Sequence, residues 1–177
     1  MKVVFVCTGN LCRSPMAEVM LRHELERRGC AGVDVVSVGT WAYRGSPATE
    51  VAVDVMRDLG IDLASHRSRP IEDEDLVTAD IIVVMTSVHL REVLGAAPDI
   101  TDKVVLMKEL AEIEMSPVES EATTVDRVAA LLSGPRPPRR RSLDVDDPMG
   151  LPAFAYERAA REIEAGVKVL AAVLCGG

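Results

Sequence analysis

The chain has 177 residues, a length that fits one domain with a sizeable core. Its formal charge of −8 at pH 7 argues against a general nucleic-acid-binding protein. Apolar residues make up 48% of it, but no apolar run approaches the ~18 residues that a membrane span needs. We therefore expect one domain over residues 1–177, with no nucleic acid and no membrane as partners. Because the first apolar run begins at Val3, we expect no leader and a cytoplasmic location.

Short apolar runs alternate with amphipathic stretches along the chain. The apolar runs predict strands at residues 3–7, 33–38, 81–85 and 104–107. Apolar residues at helical spacing predict helices at residues 15–28, 48–59, 87–94 and 156–174, and a glycine follows each of the first two. This alternation predicts an α/β fold, a four-stranded parallel sheet flanked by helices on both faces. In such a fold the chemistry lies at the carboxyl ends of the strands.

The first predicted strand ends at a cysteine, and a short loop follows it. Five residues separate Cys7 from Arg13, and Ser14 comes next, where a helix is about to begin. The backbone N–H groups of such a loop and the positive end of the helix dipole favour a bound anion. The Arg13 guanidinium suits a phosphate or arsenate oxyanion, and the same field favours the nucleophilic thiolate of Cys7. The order of residues predicts a phosphate-binding loop with a cysteine nucleophile.

Residues 7–18, CTGNLCRSPMAE, resemble the signature of the low-molecular-weight protein tyrosine phosphatases. The resemblance continues through residues 37–40, 60–62, 66–69, 81–85 and 147–150 and into the last predicted helix. It covers most of the chain except an insertion at about 113–145. The resemblance implies a protein-tyrosine-phosphatase, a hydrolase of phosphoric monoesters. Its partners would be a phosphotyrosine-containing protein as substrate and inorganic phosphate as product.

Several site residues are implied by this resemblance. Cys7 is the expected nucleophile, Arg13 binds the phosphate, and Asp147 before Pro148 is the expected general acid and base, with Asp146 as the fallback. The negative charges of Asp144 and Asp146 would favour the protonated acid. The rest of the expected phosphate-binding loop consists of Thr8, Gly9, Asn10, Leu11, Cys12 and Ser14.

The other roles are supporting ones. Ser14 is expected to donate a hydrogen bond to the Cys7 thiolate, while Asn10 holds the loop open with help from Ser37 and His66. The two remaining histidines, His23 and His89, receive no role. Two steps are expected: transfer of the phosphoryl group to Cys7, and hydrolysis of the phosphocysteine by water with Asp147 as base.

The four cysteines are expected to be thiols, since their spacing and the intracellular context do not favour disulfides. Cys12 would either form a reversible disulfide with Cys7 under oxidation or simply pack in the core. No cysteine or histidine pattern has zinc-ligand spacing, so we expect no metal, and no cofactor is implied.

Four positions bear on the substrate. Leu11 stands where relatives that act on phosphoarginine carry threonine, which favours phosphotyrosine. Trp41 and Tyr43 are expected to form the cleft wall that stacks on the phosphotyrosyl ring. Met149 stands where many relatives have an aromatic residue, so this part of the wall is softer.

Three alternatives to a protein-tyrosine-phosphatase remain open: a protein-arginine-phosphatase, an arsenate reductase, and a phosphate-binding protein without turnover. The reductase is disfavoured because residues 62–102 contain no cysteine, and Cys30 and Cys175 are poorly placed by sequence to replace one. The non-catalytic alternative is disfavoured because the nucleophile, the arginine and the acid are all present.

The predicted insertion holds a short helical pattern and then a basic segment. The helical residues are Val125, Val128, Ala129 and Leu132, and the basic segment runs from Arg136 to Arg141 among prolines. We expect this segment to be extended, mobile and cationic. It would be either a solvated loop or a strip that docks acidic phosphopeptides.

Overall fold

A computed structural model of the chain describes residues 1–113, 121–138 and 141–176, without the side chain of Arg141. The strands in these ranges are β1 (Lys2–Cys7), β2 (Asp34–Gly39), β3 (Ile81–Val84) and β4 (Val104–Leu106). The helices are α1 (Arg13–Arg27), α2 (Glu50–Asp58), α3 (Ser87–Ala96), α4 (Thr124–Ser133) and α5 (Ala153–Cys175). Short 3-10 turns lie at Ile71–Asp73, Leu76–Thr78, Pro98–Lys103, Glu109–Ala111 and Arg141–Leu143. None of the helices in the described ranges is both long and apolar enough to cross a bilayer.

The sheet is parallel throughout and has the order β2-β1-β3-β4. The predicted fold class is therefore confirmed. β1 lies between two neighbours, and this position explains why its sequence is a nearly continuous apolar run. Its last residue, Cys7, is in register with Gly39 of β2, and Val6 is in register with Val84 of β3. The carboxyl ends of these three strands thus meet at one edge of the sheet.

Helices cover both faces of the sheet because successive residues of each strand point to opposite sides. Val3 and Phe5 of β1 are fully buried on the face covered by α1, α2, α4 and α5. Val4 and Val6 are fully buried on the other face, where α3 and the neighbouring turns pack. Each face has its own apolar cluster, and together they hold the carboxyl edge of the sheet in place.

The predicted helical pattern in the insertion is confirmed as α4. The Thr123 side chain accepts from the backbone of Asp126, and the Asp126 side chain accepts from Thr123, so the helix starts with a capping box. Val128 and Leu131 are buried in the cluster that α5 also joins. α4 is therefore part of the folded core.

The start of the predicted basic segment is anchored, which corrects the expectation of a mobile segment there. The guanidinium of Arg136 donates to the carbonyl oxygen of Val104 at 2.7 Å and to that of Leu132 at 3.2 Å, and it lies 3.9 Å from the buried carboxylate of Glu109. Arg139, Arg140 and the side chain of Arg141 lie outside the described residues, so the docking hypothesis stays a prediction.

The expectation of free thiols is wrong for one pair of cysteines. Cys30 and Cys175 form a disulfide, and their Cα atoms are 5.7 Å apart. The reason is the packing of α1 along α5, which brings the residues after the end of α1 next to the last residue of α5. Cys7 and Cys12 are free.

Candidate active site

The loop between β1 and α1 lies at the carboxyl edge of the sheet. Beyond the end of β2, the backbone N–H of Thr40 donates to the carbonyl oxygen of Cys7, and that of Trp41 donates to Thr8, both at 2.9 Å. Gly39 makes this close approach possible. A Cβ atom at position 39 would overlap the carbonyl oxygen of Thr8 and lie 2.8 Å from the backbone nitrogen of Asn10.

The side chain of Cys7 is buried beside a hydroxyl group. Its sulfur lies 3.0 Å from the Oγ atom of Ser14. The Ser14 oxygen accepts a hydrogen bond from Nδ2 of Asn10 at 2.9 Å, and its own proton has two acceptors in reach, the Cys7 sulfur and the carbonyl oxygen of Val38 at 3.3 Å. Ser14 is thus placed to donate a hydrogen bond to the sulfur of Cys7.

Asn10 is held by hydrogen bonds to β2 and to residues 66–69. Its φ of 53° makes it the one non-glycine residue with positive φ in the described ranges. Its Nδ2 atom donates to Ser37 at 2.8 Å, and its Oδ1 atom accepts from the backbone N–H of Arg69 at 2.8 Å. The carbonyl oxygen of Asn10 accepts from Nε2 of His66 at 2.8 Å. These bonds offset the cost of the left-handed conformation and fix the shape of the loop.

The two side chains that hold Asn10, those of Ser37 and His66, are each in a defined state. Ser37 Oγ donates to the carboxylate of Glu18 at 2.5 Å, so Glu18 orients the hydroxyl that holds Asn10. Burial lowers the pKa of His66, which favours the neutral ring. Because a carbonyl oxygen can only accept, the proton of this ring is on Nε2.

Arg13 and Asp147 meet at the mouth of the loop. The buried guanidinium of Arg13 lies 2.8 Å from a carboxylate oxygen of Asp147, whose side chain is 51% exposed. A second nitrogen of Arg13 donates to the carbonyl oxygen of Val145 at 3.1 Å, and this bond orients the guanidinium group. Within the described residues the buried Nε–H of Arg13 has no acceptor. A bound oxyanion would supply one.

One cavity of about 160 Å³ joins these groups. The residues that line it are Cys7, Thr8, Gly9, Leu11, Cys12, Arg13, Asp147 and Met149. The structure therefore brings together most of the residues that the sequence analysis proposed for the site. Asn10 and Ser14 belong to the loop without lining the cavity, and Ser37 and His66 support the loop from behind.

Comparison with known proteins agrees with this geometry. The family model described as "Low molecular weight phosphotyrosine protein phosphatase" matches residues 2–119. The chain belongs to this family. It is therefore an enzyme of the hydrolase class, as its motif predicts.

The relatives of the phosphatase include two kinds of enzyme. A probable low-molecular-weight protein-tyrosine-phosphatase, EpsP, from Ralstonia solanacearum is 32% identical over 165 residues, which are 93% of this chain and 90% of the relative. A protein-arginine-phosphatase from Geobacillus stearothermophilus is 32% identical over 170 residues, 96% of this chain and 93% of that one. The crystal structure of the low-molecular-weight protein tyrosine phosphatase from T. tengcongensis superposes with a TM-score of 0.74 at 32% identity, covering 96% of this chain and 97% of that one.

The phosphatase has a buried histidine beside the loop that the sequence analysis missed. His89 on α3 places Nε2 2.9 Å from the hydroxyl of Thr8 and Nδ1 3.0 Å from the hydroxyl of Thr86. Burial, followed by the charge of Arg13, lowers the pKa of His89 to about 4, so its ring is neutral near pH 7. The sequence did contain a signal for this contact. Thr86 follows β3 at the carboxyl edge of the sheet, and His89 lies one helical turn later, which places its side chain near the same edge.

We expect His89 to make the phosphatase less stable in mild acid. Its pKa is lowered in the folded state, so between about pH 6.5 and about pH 4 the unfolded chain binds a proton that the native chain does not. Stability therefore falls as the pH falls through this window. In His89→Gln the drop in melting temperature between about pH 7 and about pH 5 should be smaller than in the wild type. The exposed His23, changed to glutamine, is the matched control, and equal drops in the wild type and His89→Gln would contradict the expectation.

The acidic neighbours of Asp147 have partners of their own, and Asp147 itself is paired with a cation; the predicted effect of their charges on it stays a prediction. Asp144 accepts from the backbone N–H of Ser87 at 2.7 Å and from its hydroxyl at 3.1 Å. Asp146 lies 3.1 Å from the guanidinium of Arg158. The charged group nearest to Asp147 is thus the cation of Arg13 rather than another carboxylate.

Of the three residues predicted to form the cleft wall, Met149 lines the cavity, and Trp41 and Tyr43 do not. Trp41 is tied to the loop through its backbone, and its indole N–H donates to Glu92 at 3.3 Å, but 75% of the residue is exposed. Tyr43 is 86% exposed and does not line the cavity. Met149 does line it, and two further exposed apolar residues follow it, Leu151 and Phe154, which the sequence analysis did not consider.

Cys12 is a buried thiol on the wall of the cavity. Its sulfur lies 3.5 Å from the Thr49 hydroxyl and 3.8 Å from that of Tyr156. Burial raises the pKa of Cys12, which makes it a poor nucleophile at neutral pH. Its redox pairing with Cys7 stays a prediction.

Proposed function

We propose that the chain hydrolyses phosphotyrosine in proteins through a phosphocysteine on Cys7. One observation carries the proposal: Cys7, Arg13 and Asp147 line a single cavity. Phosphoryl transfer needs a nucleophile, compensation of the phosphate charge and a proton donor for the leaving oxygen. These three residues meet those three needs.

In the first step the thiolate of Cys7 attacks phosphorus. The S–P bond forms while the bond from phosphorus to the tyrosyl oxygen breaks. The Arg13 guanidinium, including the Nε–H that has no acceptor among the described residues, and the backbone N–H groups of the loop bind the phosphate oxygens. The hydroxyl of Ser14 stabilises the sulfur as an anion before the attack and again when it departs.

Asp147 supplies the proton for the leaving oxygen. Substrate phosphate brings two negative charges to Arg13 and competes with the carboxylate that lies 2.8 Å from it. Displaced from this ion pair, Asp147 is free to carry a proton to the tyrosyl oxygen. In the second step water attacks the phosphocysteine, Asp147 accepts its proton, the S–P bond breaks and inorganic phosphate leaves.

The apolar side chain of Leu11 on the cavity wall supports phosphotyrosine as the substrate. An aryl ring gains from apolar contact, whereas a phosphorylated guanidinium has N–H groups that an apolar wall leaves without partners. The second candidate, a protein-arginine-phosphatase, is favoured by the relative of that name, which is 32% identical over 96% of this chain.

Steady-state hydrolysis of matched phosphotyrosine and phosphoarginine peptides separates the two candidates. We expect a higher kcat/KM for phosphotyrosine, and we expect Leu11→Thr to move the ratio toward phosphoarginine by about tenfold. A wild-type preference for phosphoarginine would overturn the substrate assignment and leave the cysteine mechanism in place. No change of ratio in Leu11→Thr would remove Leu11 from the argument.

We expect Gly39→Ala to lower kcat/KM for the phosphotyrosine peptide by about 10²-fold. The new Cβ atom would push on the backbone of Thr8 and Asn10, and shifts of about 1 Å at a catalytic loop have effects of this size. Gly95→Ala on α3, where an added Cβ has nothing within 4 Å, is the matched control and should keep its activity. Full activity in Gly39→Ala would contradict the close approach.

Besides Cys7 and Cys12 of the loop itself, the arsenate reductase alternative has no free thiol available, because the other two cysteines are oxidised. Cys30 and Cys175 are bonded to each other beyond the far end of α1, whose 15 residues put them roughly 22 Å from the loop along the helix. Hydrolysis of the phosphotyrosine peptide without a thiol reductant would exclude both the reductase and a protein that only binds phosphate.

A further inference from the structure

A second polar cleft lies behind the catalytic loop. We call it the back cleft; it has a volume of about 250 Å³, and its polar lining consists of Glu18, Arg22, Ser65, His66, Arg67 and Arg69. None of these residues lines the active-site cavity. Three arginines face one carboxylate here, in a chain whose formal charge is −8. The back cleft is therefore a local concentration of positive charge on an acidic protein.

The three guanidinium groups are held in place by backbone carbonyl oxygens. Arg22 donates to Val35 at 2.6 Å, and Arg69 donates to Ser37 at 3.3 Å. Arg67 donates to the carbonyl oxygen of His66 at 2.6 Å. Each guanidinium has five N–H donors, more than these contacts use, so ordered donors remain for a ligand. Such preorganisation lowers the entropic cost of binding an anion.

Three residues of the back cleft also hold Asn10 of the catalytic loop. His66 donates to its carbonyl oxygen, and the backbone N–H of Arg69 donates to its side chain, both at 2.8 Å. Glu18 accepts from Ser37, which in turn binds Asn10, and its other oxygen pairs with Arg22 at 2.8 Å. A ligand that binds Arg22, or that changes the charge beside His66, therefore acts on the catalytic loop through these hydrogen bonds to Asn10.

We propose that the back cleft binds a phosphate-class oxyanion with at least two negative charges, and that its occupancy acts on the catalytic loop. Bidentate contacts from arginine suit such an anion. The groups whose charge bears on His66 are Glu18, which favours its protonation, and Arg67 and Arg69, which oppose it. An anion bound to those arginines offsets their charge and strengthens the hydrogen bond from His66 to Asn10.

Calorimetric titration with inorganic pyrophosphate tests the binding. We expect two sites in the wild type, of which Arg13→Ala removes the one in the active site. Arg67→Ala should weaken the other by about tenfold, the effect of one charge-assisted hydrogen bond, and Arg22→Ala/Arg67→Ala should abolish it. Arg57→Ala removes an exposed arginine on α2 and is the matched control. Within the described part of the chain the Arg67 guanidinium bonds to nearby carbonyl oxygens alone, so its single variant remains informative if the double variant fails to fold.

The proton NMR titration of His66 in Arg13→Ala tests the coupling. We expect pyrophosphate to raise the titration midpoint of His66 in Arg13→Ala, and we expect no rise when Arg67→Ala is added. A single pyrophosphate site that Arg13→Ala abolishes would overturn the proposal, as would a second site that Arg67→Ala leaves unchanged. The same titration with a phosphoserine peptide distinguishes two sources of the anion. Binding of the peptide at the back cleft would indicate a phosphoryl group on a peptide, and binding of pyrophosphate alone would indicate a free phosphate.

The effect on the catalytic loop rests on the proposed function, but the binding does not. If the back cleft binds pyrophosphate and the wild type hydrolyses no phosphopeptide, the proposed function fails while the site stands. If the wild type is active and has one pyrophosphate site, the function stands and the back cleft is not an anion site.

Discussion

Replacing Cys7 by serine is expected to abolish hydrolysis of the phosphotyrosine peptide, with kcat lowered by about 10⁴-fold or more. Two groups that can stabilise a negative charge on sulfur lie beside residue 7, the hydroxyl of Ser14 at 3.0 Å and the N-terminus of α1. A serine hydroxyl has a much higher pKa than a thiol, and the described residues place no histidine base on its Oγ. The measurement is steady-state kinetics on the purified variant, after its fold has been checked by its melting temperature.

Cys12→Ser is the matched control for that variant. Cys12 lines the same cavity, but burial raises the pKa of its thiol, and its contacts are the hydroxyl groups of Thr49 and Tyr156. A serine can bond to both hydroxyls, so we expect kcat to stay within about threefold of the wild-type value. Loss of turnover in Cys12→Ser with retention in Cys7→Ser would reverse the assignment of the nucleophile.

Replacing Asp147 by asparagine has the second largest expected effect, a fall in kcat of about 10²- to 10⁴-fold. Asparagine keeps the shape and can still accept from the backbone N–H of Met149, but it carries no proton to the leaving oxygen. The loss should be largest for phosphotyrosine peptides and smaller for an aryl phosphate whose leaving group is more acidic, because such a group needs less protonation. Kinetics on a series of aryl phosphates measure this dependence.

Asp146→Asn separates the catalytic acid from its neighbour. The carboxylate of Asp146 pairs with Arg158 at the surface and does not line the cavity, so its loss should change kcat little. If Asp146→Asn lost as much activity as we expect for Asp147→Asn, Asp146 would be the general acid, and the assignment of Asp147 from its place on the cavity wall would be wrong.

The sequence predicted the sheet and the loop because both depend on local patterns. Buried strands need apolar runs, and the parallel order follows from the helices between them, so Cys7 had to end a strand at the carboxyl edge. Cys7, Arg13 and Ser14 are close in sequence, and the loop that joins them is short. Asp147 lies far along the chain from the loop, and its place in the site was predicted from the family resemblance, because no local pattern indicates it.

The features that the sequence analysis missed depend on contacts between distant segments. Cys30 and Cys175 are 145 residues apart, and only the packing of α1 along α5 makes them neighbours. His89 lies on a helix that could have faced solvent at that position, and its contact with Thr8 depends on how α3 packs beside the loop. The partner of Asp146 lies on α5, so spacing along the chain could not show that its charge is compensated.

The most direct test of the central claim is to trap the phosphoryl group on Cys7. Asp147 is expected to assist the hydrolysis of the intermediate as well as its formation, so the wild type and Asp147→Asn are quenched in acid within the first turnover and digested for mass spectrometry. We expect a phosphorylated peptide whose modified residue is Cys7, formed and lost at rates consistent with kcat. Turnover without an adduct at Cys7, or an adduct on Cys12 instead, would contradict the mechanism.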